Sequence, residues 1–239
     1  MNRCKQCAGK DFVKNGCVRG VQRYRCKSCG LNFVVGDKRV KEDTAIKRAF
    51  AVILYSLGKS SYGLIAKLFG VTRPAVRKWL KRKADLLSMP EIPATIEEME
   101  FHEMWHFIGS KKNKLWLIKA VDRASRRTVA WVLGGRDAAT LQRLYDKVKH
   151  LTGCIFYTDE WDAFAKILPA QRHVVGKAHT ITIEQDNSNT RHHLGRMTRR
   201  TKVVSKKVEM VDAAMKLWCA LTQPDTFAAF QRTALSIYR

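Results

Sequence analysis

Residues 154–161 read Cys-Ile-Phe-Tyr-Thr-Asp-Glu-Trp, an apolar run of strand length that stops on a threonine and an aspartate. A short apolar run bounded by polar residues predicts a buried central strand. An acid placed directly after such a strand stands where open α/β sheets hold their ligands, at the carboxyl edge. Asp159 is therefore the first candidate for chemistry. Working outward, Met99–Ile108, Leu115–Val121 and Thr128–Leu133 predict three antiparallel strands, with a Lys- and Asn-rich turn over Gly109–Lys114. Asp137–His150 repeats Ala139, Leu141, Leu144, Tyr145 and Val148 at helical spacing, Trp161–Ile167 also reads as helix, and His173–Val175 reads as strand. From Ile181 onward the pattern is helical and strongly basic.

Three antiparallel strands, then helix, strand, helix, strand and helix, is the order of a ribonuclease-H-like α/β fold. In such a fold Glu184, 25 residues after Asp159 and near the start of a helix, can share a pocket with it. Carboxylate oxygens are hard donors that suit Mg²⁺ or Mn²⁺. Two such ions activate a nucleophile and stabilise a leaving oxygen in phosphoryl transfer.

The charge of the chain points to the partner. Its 239 residues carry 45 Lys and Arg against 21 Asp and Glu, a net +24. Residues 1–90 hold 21 of the cations and only 5 of the acids. A charge of this size is matched by a polyanion, and nucleic acid is the expected one, narrowed to double-stranded DNA by the helix-turn-helix and the resemblance below. Apolar residues make up 46%, which excludes wholesale disorder. The longest apolar run, Ala49–Tyr55, is far short of the roughly 20 residues that span a bilayer, so no membrane partner is expected. The opening Met-Asn-Arg-Cys-Lys-Gln-Cys has no apolar signal region, and a cytoplasmic, nucleoid-associated protein is expected.

The first third divides into two modules. Cys4-x-x-Cys7 and Cys26-x-x-Cys29 are two knuckles separated by 18 residues, a spacing that predicts a closed tetrahedral structural zinc site. The segment between them has little to bury besides Tyr24 and Phe33, so a metal staple has to hold it. Cys17, Cys154 and Cys219 fall outside the pattern and read as small packing or surface residues. A first helix over 44–57, capped by Asp43 or Thr44, precedes Tyr62–Phe69, which Ser60 or Ser61 opens and Gly70 ends. Thr72 then caps a third helix with Pro74 in its first turn.

The spacing of Ala66, Gly70, Val71, Val76 and Trp79 suits a helix-turn-helix. Its last helix presents Arg73, Arg77, Lys78 and Arg82 to DNA. The connector Leu87–Thr95, with two prolines, marks a boundary near residue 90. The expected organisation is a zinc ribbon over 1–36, a helix-turn-helix over 40–88 and a ribonuclease-H-like domain over 96–239. In the last of these, Arg191, Arg196, Arg199, Arg200 and Lys202 form a phosphate track on basic helices.

The chain resembles the transposases of insertion sequence 1 nearly end to end. The features that carry the likeness are the four-cysteine ribbon, the helix-turn-helix and Glu103-Met-Trp105. They continue with Lys114-Leu-Trp-Leu-Ile-Lys-Ala-Val-Asp-Arg123, Phe156-Tyr-Thr-Asp-Glu-Trp161 and the long block from His179 to His193. The resemblance implies an Asp-Asp-Glu site that cuts element ends at terminal inverted repeats and joins 3′ hydroxyls to target DNA, working as a homodimer or larger assembly. Asp159 matches the second acid and Glu184 the third. The family expects aspartate before Glu-Met-Trp, and this chain has His102 there. Strand alternation puts Glu100 on the face of His102 and Glu103 on the opposite one, which makes Glu103 a poor replacement. The departure predicts weakened chemistry. It also keeps open a non-catalytic DNA-binding repressor or domesticated relative, and a nuclease that cuts without joining.

Overall fold

The structure is a computed structural model that describes residues 3–4, 9–34 and 41–236, with the side chains of residues 41–43 outside the description. Cys7 therefore lies outside the described residues. The chain divides into two compact units, 1–44 and 45–239.

In the first unit, β1 (Phe12–Val18), β2 (Val21–Cys26) and β3 (Asn32–Val34) form an antiparallel sheet in that order. Its core is small. Phe12, Tyr24 and Phe33 meet with ring centroids 5.3 to 6.0 Å apart, beside the buried Cys4 and Cys26. Such a core is too slight to hold a sheet of this size without a cross-link.

The second unit begins with three helices. α1 (Lys41–Leu57) starts ahead of the expected cap at residue 43 or 44. α2 (Tyr62–Phe69) has the bounds its capping residues imply: Ser61 Oγ accepts from the Leu64 N–H at 3.1 Å, and Gly70 turns the chain at φ 63°. α3 (Arg73–Asp85) is opened by Thr72, whose hydroxyl accepts from the Ala75 N–H.

The body is a five-stranded sheet in the order β6-β5-β4-β7-β8. β4 (Glu98–Ile108), β5 (Ser110–Asp122) and β6 (Arg127–Gly134) are antiparallel neighbours, while β7 (Ile155–Thr158) and β8 (His173–Val175) add in parallel beside β4. This mixed sheet with helices on its faces fits a ribonuclease-H-like domain. The expected long turn over 109–114 is instead a tight hairpin at Gly109, φ 72°, with pairing running through Lys114.

α4 (Ala138–Val148) and α5 (Asp162–Ile167) cover one face of the sheet. Leu141, Leu144 and Phe164 pack there on Phe101, Ile118 and Phe156. α6 (Ile181–His193), α7 (Val208–Leu221) and α8 (Pro224–Leu235) follow. Leu117, Trp131 and Met104 of the sheet share a second core with Met215 and Trp218 of α7, Val52 and Tyr55 of α1, and Val76 and Leu80 of α3. The proline-marked connector near residue 90 thus separates elements in sequence but not in packing.

One expectation is corrected here. Residues 198–207 form no helix: α6 stops at His193, and after a single 3₁₀ turn over Gly195–Met197 the basic run continues as irregular, bent chain to α7. Like charges three and four apart disfavour a helix, and this segment's backbone is used elsewhere, the Gly109 N–H donating to the Ser205 carbonyl at 2.7 Å. Trp131 is core, and its indole N–H donates to Asp212 at 2.9 Å, whereas Trp116 and Trp161 both lie against a guanidinium described below.

Candidate active site

The geometry of the site begins with the parallel pairing of β4 and β7. Glu98, Met99 and Glu100 stand opposite Ile155, Phe156 and Tyr157. Extending that register brings His102 level with Asp159, just past the end of β7. The contact follows: His102 Nδ1 is 3.4 Å from Asp159 Oδ2. Asp159 Oδ1 accepts from the Trp161 N–H at 3.3 Å, which orients the carboxylate at the mouth of the strand.

The expectation that Glu103 stays away from this cluster is corrected. Glu103 does alternate to the far face of β4, but β7 has ended and no longer covers that edge. The long side chain turns over it, and Oε2 lies 3.5 Å from His102 Nδ1. His102, Glu103 and Asp159 thereby bring three ligating atoms within 4.8 Å of one another.

The other oxygen, Glu103 Oε1, is held by Arg136, with Nη2 at 2.6 Å and Nε at 2.8 Å. That guanidinium lies against the rings of Trp116 (5.3 Å) and Trp161 (5.1 Å). Glu100, which shares the face of His102, is occupied. It is fully buried, pairs with Arg123 Nε at 3.1 Å, and accepts the Ile183 N–H at 2.7 Å.

α6 carries Glu184 in its first turn, exposed to solvent. Thr180 gives this helix no side-chain cap, and Glu100 supplies the anion at its N-terminus instead. Two residues after Glu184, the buried Asp186 is bound by Lys119 of β5 and by Thr128 Oγ1 at 2.7 Å. Lys119 also donates to Thr190 Oγ1 at 3.2 Å. Glu184 is thus flanked by two anchored residues, Ile183 and Asp186.

Lys119 has no solvent exposure and faces His102 across the β4–β5 ladder. Sequence reasoning passed over it, although a signal was present. In Leu115–Val121 it falls at an inward position of an apolar strand, and a buried ammonium demands an acid partner.

Electrostatics ties the cluster together. Burial alone would lower the pKa of His102, but Glu103, Asp159 and Glu184 together outweigh it and hold the imidazole above its ordinary value. Burial would likewise raise the Glu103 carboxyl, but His102 and Arg136 bring it below the usual range. Glu184 therefore acts on the same imidazole as Asp159. This donor set, carboxylates around one ring nitrogen, fits a divalent cation.

Among the expected cysteine ligands, Cys4, Cys26 and Cys29 converge, their sulfurs within 4.8 Å of one another and those of Cys4 and Cys29 at 3.5 Å. Thiolates about 2.3 Å from one zinc ion lie roughly 3.8 Å apart, so the three sulfurs fit such an ion. Cys154 and Cys219 are buried and Cys17 is exposed.

The basic residues sort by burial. Arg73, Arg77, Lys78 and Arg82 of α3 are exposed, as are Arg199, Arg200 and Lys202 of the irregular segment before α7. Two members of the expected phosphate track are not available. Arg196 is buried, its guanidinium bonded to the hydroxyls of Tyr55 and Tyr62 and to Ser205 Oγ. Arg191 spends its guanidinium on the carbonyls of Met197 (2.8 Å) and Trp105 (3.0 Å), and burial pulls its pKa down to about 10. His193 is likewise not solvated: Nδ1 lies 2.7 Å from the Leu57 carbonyl, and the ring stacks on Trp218 at 5.1 Å.

No helix among the described residues is long and apolar enough to cross a membrane. A family model described as IS1 transposase matches residues 95–222, from just before β4 to just after α7. The insertion element IS1 protein InsB of Shigella flexneri is 38% identical over 113 residues, covering 47% of this chain and 86% of that protein. The insertion element IS1 2 protein InsB of Escherichia coli (strain K12) is also 38% identical over 113 residues, covering 68% of its length. The matched segment holds His102, Glu103, Asp159 and Glu184 together with the strands and helices that assemble them, and on that evidence the chain belongs to the IS1 transposase family.

Proposed function

We propose that this chain is an Asp-Asp-Glu-type DNA transposase with histidine in the first acid position, and that it cleaves element ends and joins them to target DNA. The observation that carries the reading is the convergence of Asp159 and the field of Glu184 on His102 at the carboxyl edge of β7. Asp159 and Glu184 hold the catalytic Mg²⁺ or Mn²⁺, with the His102 ring nitrogen as a third donor. When bound, the ion lowers the cost of charge on the attacking and leaving oxygens of the phosphodiester. The chain's own contribution is position: Asp159 is fixed by the Trp161 amide, and Glu184 by the two anchors of α6.

Recognition of the terminal inverted repeats falls to the residues before the catalytic domain. A zinc ribbon held by Cys4, Cys7, Cys26 and Cys29 lies next in sequence to a helix-turn-helix of α2 and α3. There Arg73 and Arg77 reach base edges while Lys78 and Arg82 neutralise phosphates. Arg199, Arg200 and Lys202 extend the phosphate contacts. Cutting and joining two ends requires two active sites, so the working form is a homodimer or larger assembly on DNA.

A gel assay with labelled terminal-repeat DNA tests this. Cleaved and strand-transfer products with Mg²⁺ or Mn²⁺, abolished by Asp159→Asn and by Glu184→Gln, support it. The second reading, a DNA-binding protein without chemistry, is favoured by His102, because a neutral imidazole cannot bridge two hard cations as a carboxylate does. Specific binding with no product under either metal, restored by His102→Asp, would establish that reading instead.

A further inference from the structure

We infer that Glu103 replaces the missing first carboxylate, so that His102 Nδ1, Glu103 Oε2 and Asp159 Oδ2 form one cation site that prefers Mn²⁺ to Mg²⁺. The inference rests on the transposase reading for its purpose, but its geometry stands apart.

The side chain of Glu103 is only 4% exposed, and Oε2 is buried with no hydrogen-bond partner. His102 Nδ1 is also buried without one. Leaving a buried carboxylate oxygen and a ring nitrogen unsatisfied is costly. Here both point at the same small space, next to Asp159 Oδ2. The spacings of 3.4 and 3.5 Å are long and poorly aligned for hydrogen bonds. They match neighbouring ligands of a single ion, since donors about 2.1 Å from a shared metal lie roughly 3.0 to 3.5 Å apart.

Arg136 takes only Oε1. It thereby fixes the rotamer of Glu103 and leaves Oε2 aimed at the site, the role of an outer partner that orients a ligand.

The donor chemistry sets the preference. Mg²⁺ takes oxygen ligands in a near-ideal octahedron and gives up its waters reluctantly. One imidazole nitrogen with two carboxylates suits the transition metals instead, Mn²⁺ being the mildest of that series. The same argument explains how a chain with histidine before Glu-Met-Trp keeps two anionic donors beside the ring: the carboxylate of the next residue, Glu103, reaches back over the open edge of the strand.

Mn²⁺ titration of the zinc-loaded full chain, followed by loss of the free-ion electron paramagnetic resonance signal, tests the site without relying on activity. The wild type should bind one Mn²⁺ at least tenfold more tightly than Mg²⁺ competes for it. Glu103→Gln, which can still accept from Arg136, should weaken Mn²⁺ at least tenfold. His102→Asp should bring Mg²⁺ competition within a few-fold of Mn²⁺ and remove nitrogen coupling from the bound-ion spectrum. Should Glu103→Gln fail to fold, Glu103→Asp keeps the charge, withdraws the carboxylate by one methylene, and should also weaken Mn²⁺. Wild-type Mn²⁺ affinity in a folded Glu103 variant overturns the inference. If Asp159→Asn still abolishes binding in that case, the transposase reading stands without it. If Asp159→Asn also binds normally, both fall.

Discussion

The backbone N–H of Ile183 donates to Glu100 Oε2 at 2.7 Å, across 83 residues of sequence. The strand that carries His102 is thereby joined to the first turn of the helix that carries Glu184, two residues from His102 and one from Glu184. Because α6 has no side-chain cap of its own, this buried carboxylate decides where the helix begins.

Glu100→Gln removes the anion and keeps the shape. Loss of a charged partner at a helix start is worth about 1–2 kcal/mol. The expected outcome is a stability loss of that order in urea unfolding, with faster hydrogen exchange at the Ile183 and Glu184 amides. Exchange unchanged at those two amides would show that Glu100 does not seat the helix.

The Lys119–Asp186 pair is buried, and Lys119 has no exposure. Asp186→Asn leaves an uncompensated buried ammonium, and breaking such pairs costs about 3–5 kcal/mol. Replacing both members, with Lys119→Met and Asp186→Leu together, should recover much of the loss. A double-mutant cycle by chemical denaturation reads the coupling, and purely additive effects would contradict it.

Arg196 and Arg199 should behave oppositely although they are three residues apart. Arg196→Met strips the buried hydroxyl of Tyr55 and the half-buried hydroxyl of Tyr62 of their partner. It should cost on the order of 2–4 kcal/mol of stability. Arg199→Ala, at an exposed site, should leave stability within about 0.5 kcal/mol. It should weaken DNA binding for all sequences, with the salt slope falling by about one. Thermal melts and fluorescence titrations at several salt concentrations separate the two.

His106 is buried, its Nε2 lies 3.0 Å from Ser205 Oγ, and burial, with Arg196 and Arg191 nearby, pushes its pKa down to about 4. A histidine whose folded value lies below its unfolded value of about 6.5 binds fewer protons when folded. Its contribution is fully present above pH 6.5 and is lost as pH falls toward 4. Between pH 7 and pH 5 the loss should be on the order of 2 kcal/mol. His106→Gln should flatten that part of the stability profile, as measured by denaturant unfolding at the two pH values. An unchanged slope would show that His106 does not titrate in this range.

Local chemistry made some elements legible from sequence. Ser61, Gly70 and Thr72 set the ends of α2 and α3 through bonds that span three or four residues, so their bounds could be read in advance. His173–Val175 was likewise readable as a strand, because two consecutive β-branched valines favour extended backbone. The basic run after His193 misled in the opposite way: composition looks the same on a helix as on an irregular strap, and only Gly109 and Ser205 meeting across the fold decide between them. Arg191 and Arg196 misled for a related reason, since charge says nothing of whether a guanidinium meets solvent or tyrosines.

The sequence by itself determined the order of strands and helices from α1 to α6, the basic character of the chain and the identity of the residues at the end of β7. Each of these follows from short-range periodicity, capping and net charge. Only the tertiary structure decided that β7 stops one residue short of His102, that Glu103 turns over the edge so exposed, and that Lys119 and Glu100 anchor α6. Those outcomes depend on where one strand ends against another and on which buried charge finds a partner, and neither is encoded within any single stretch of chain.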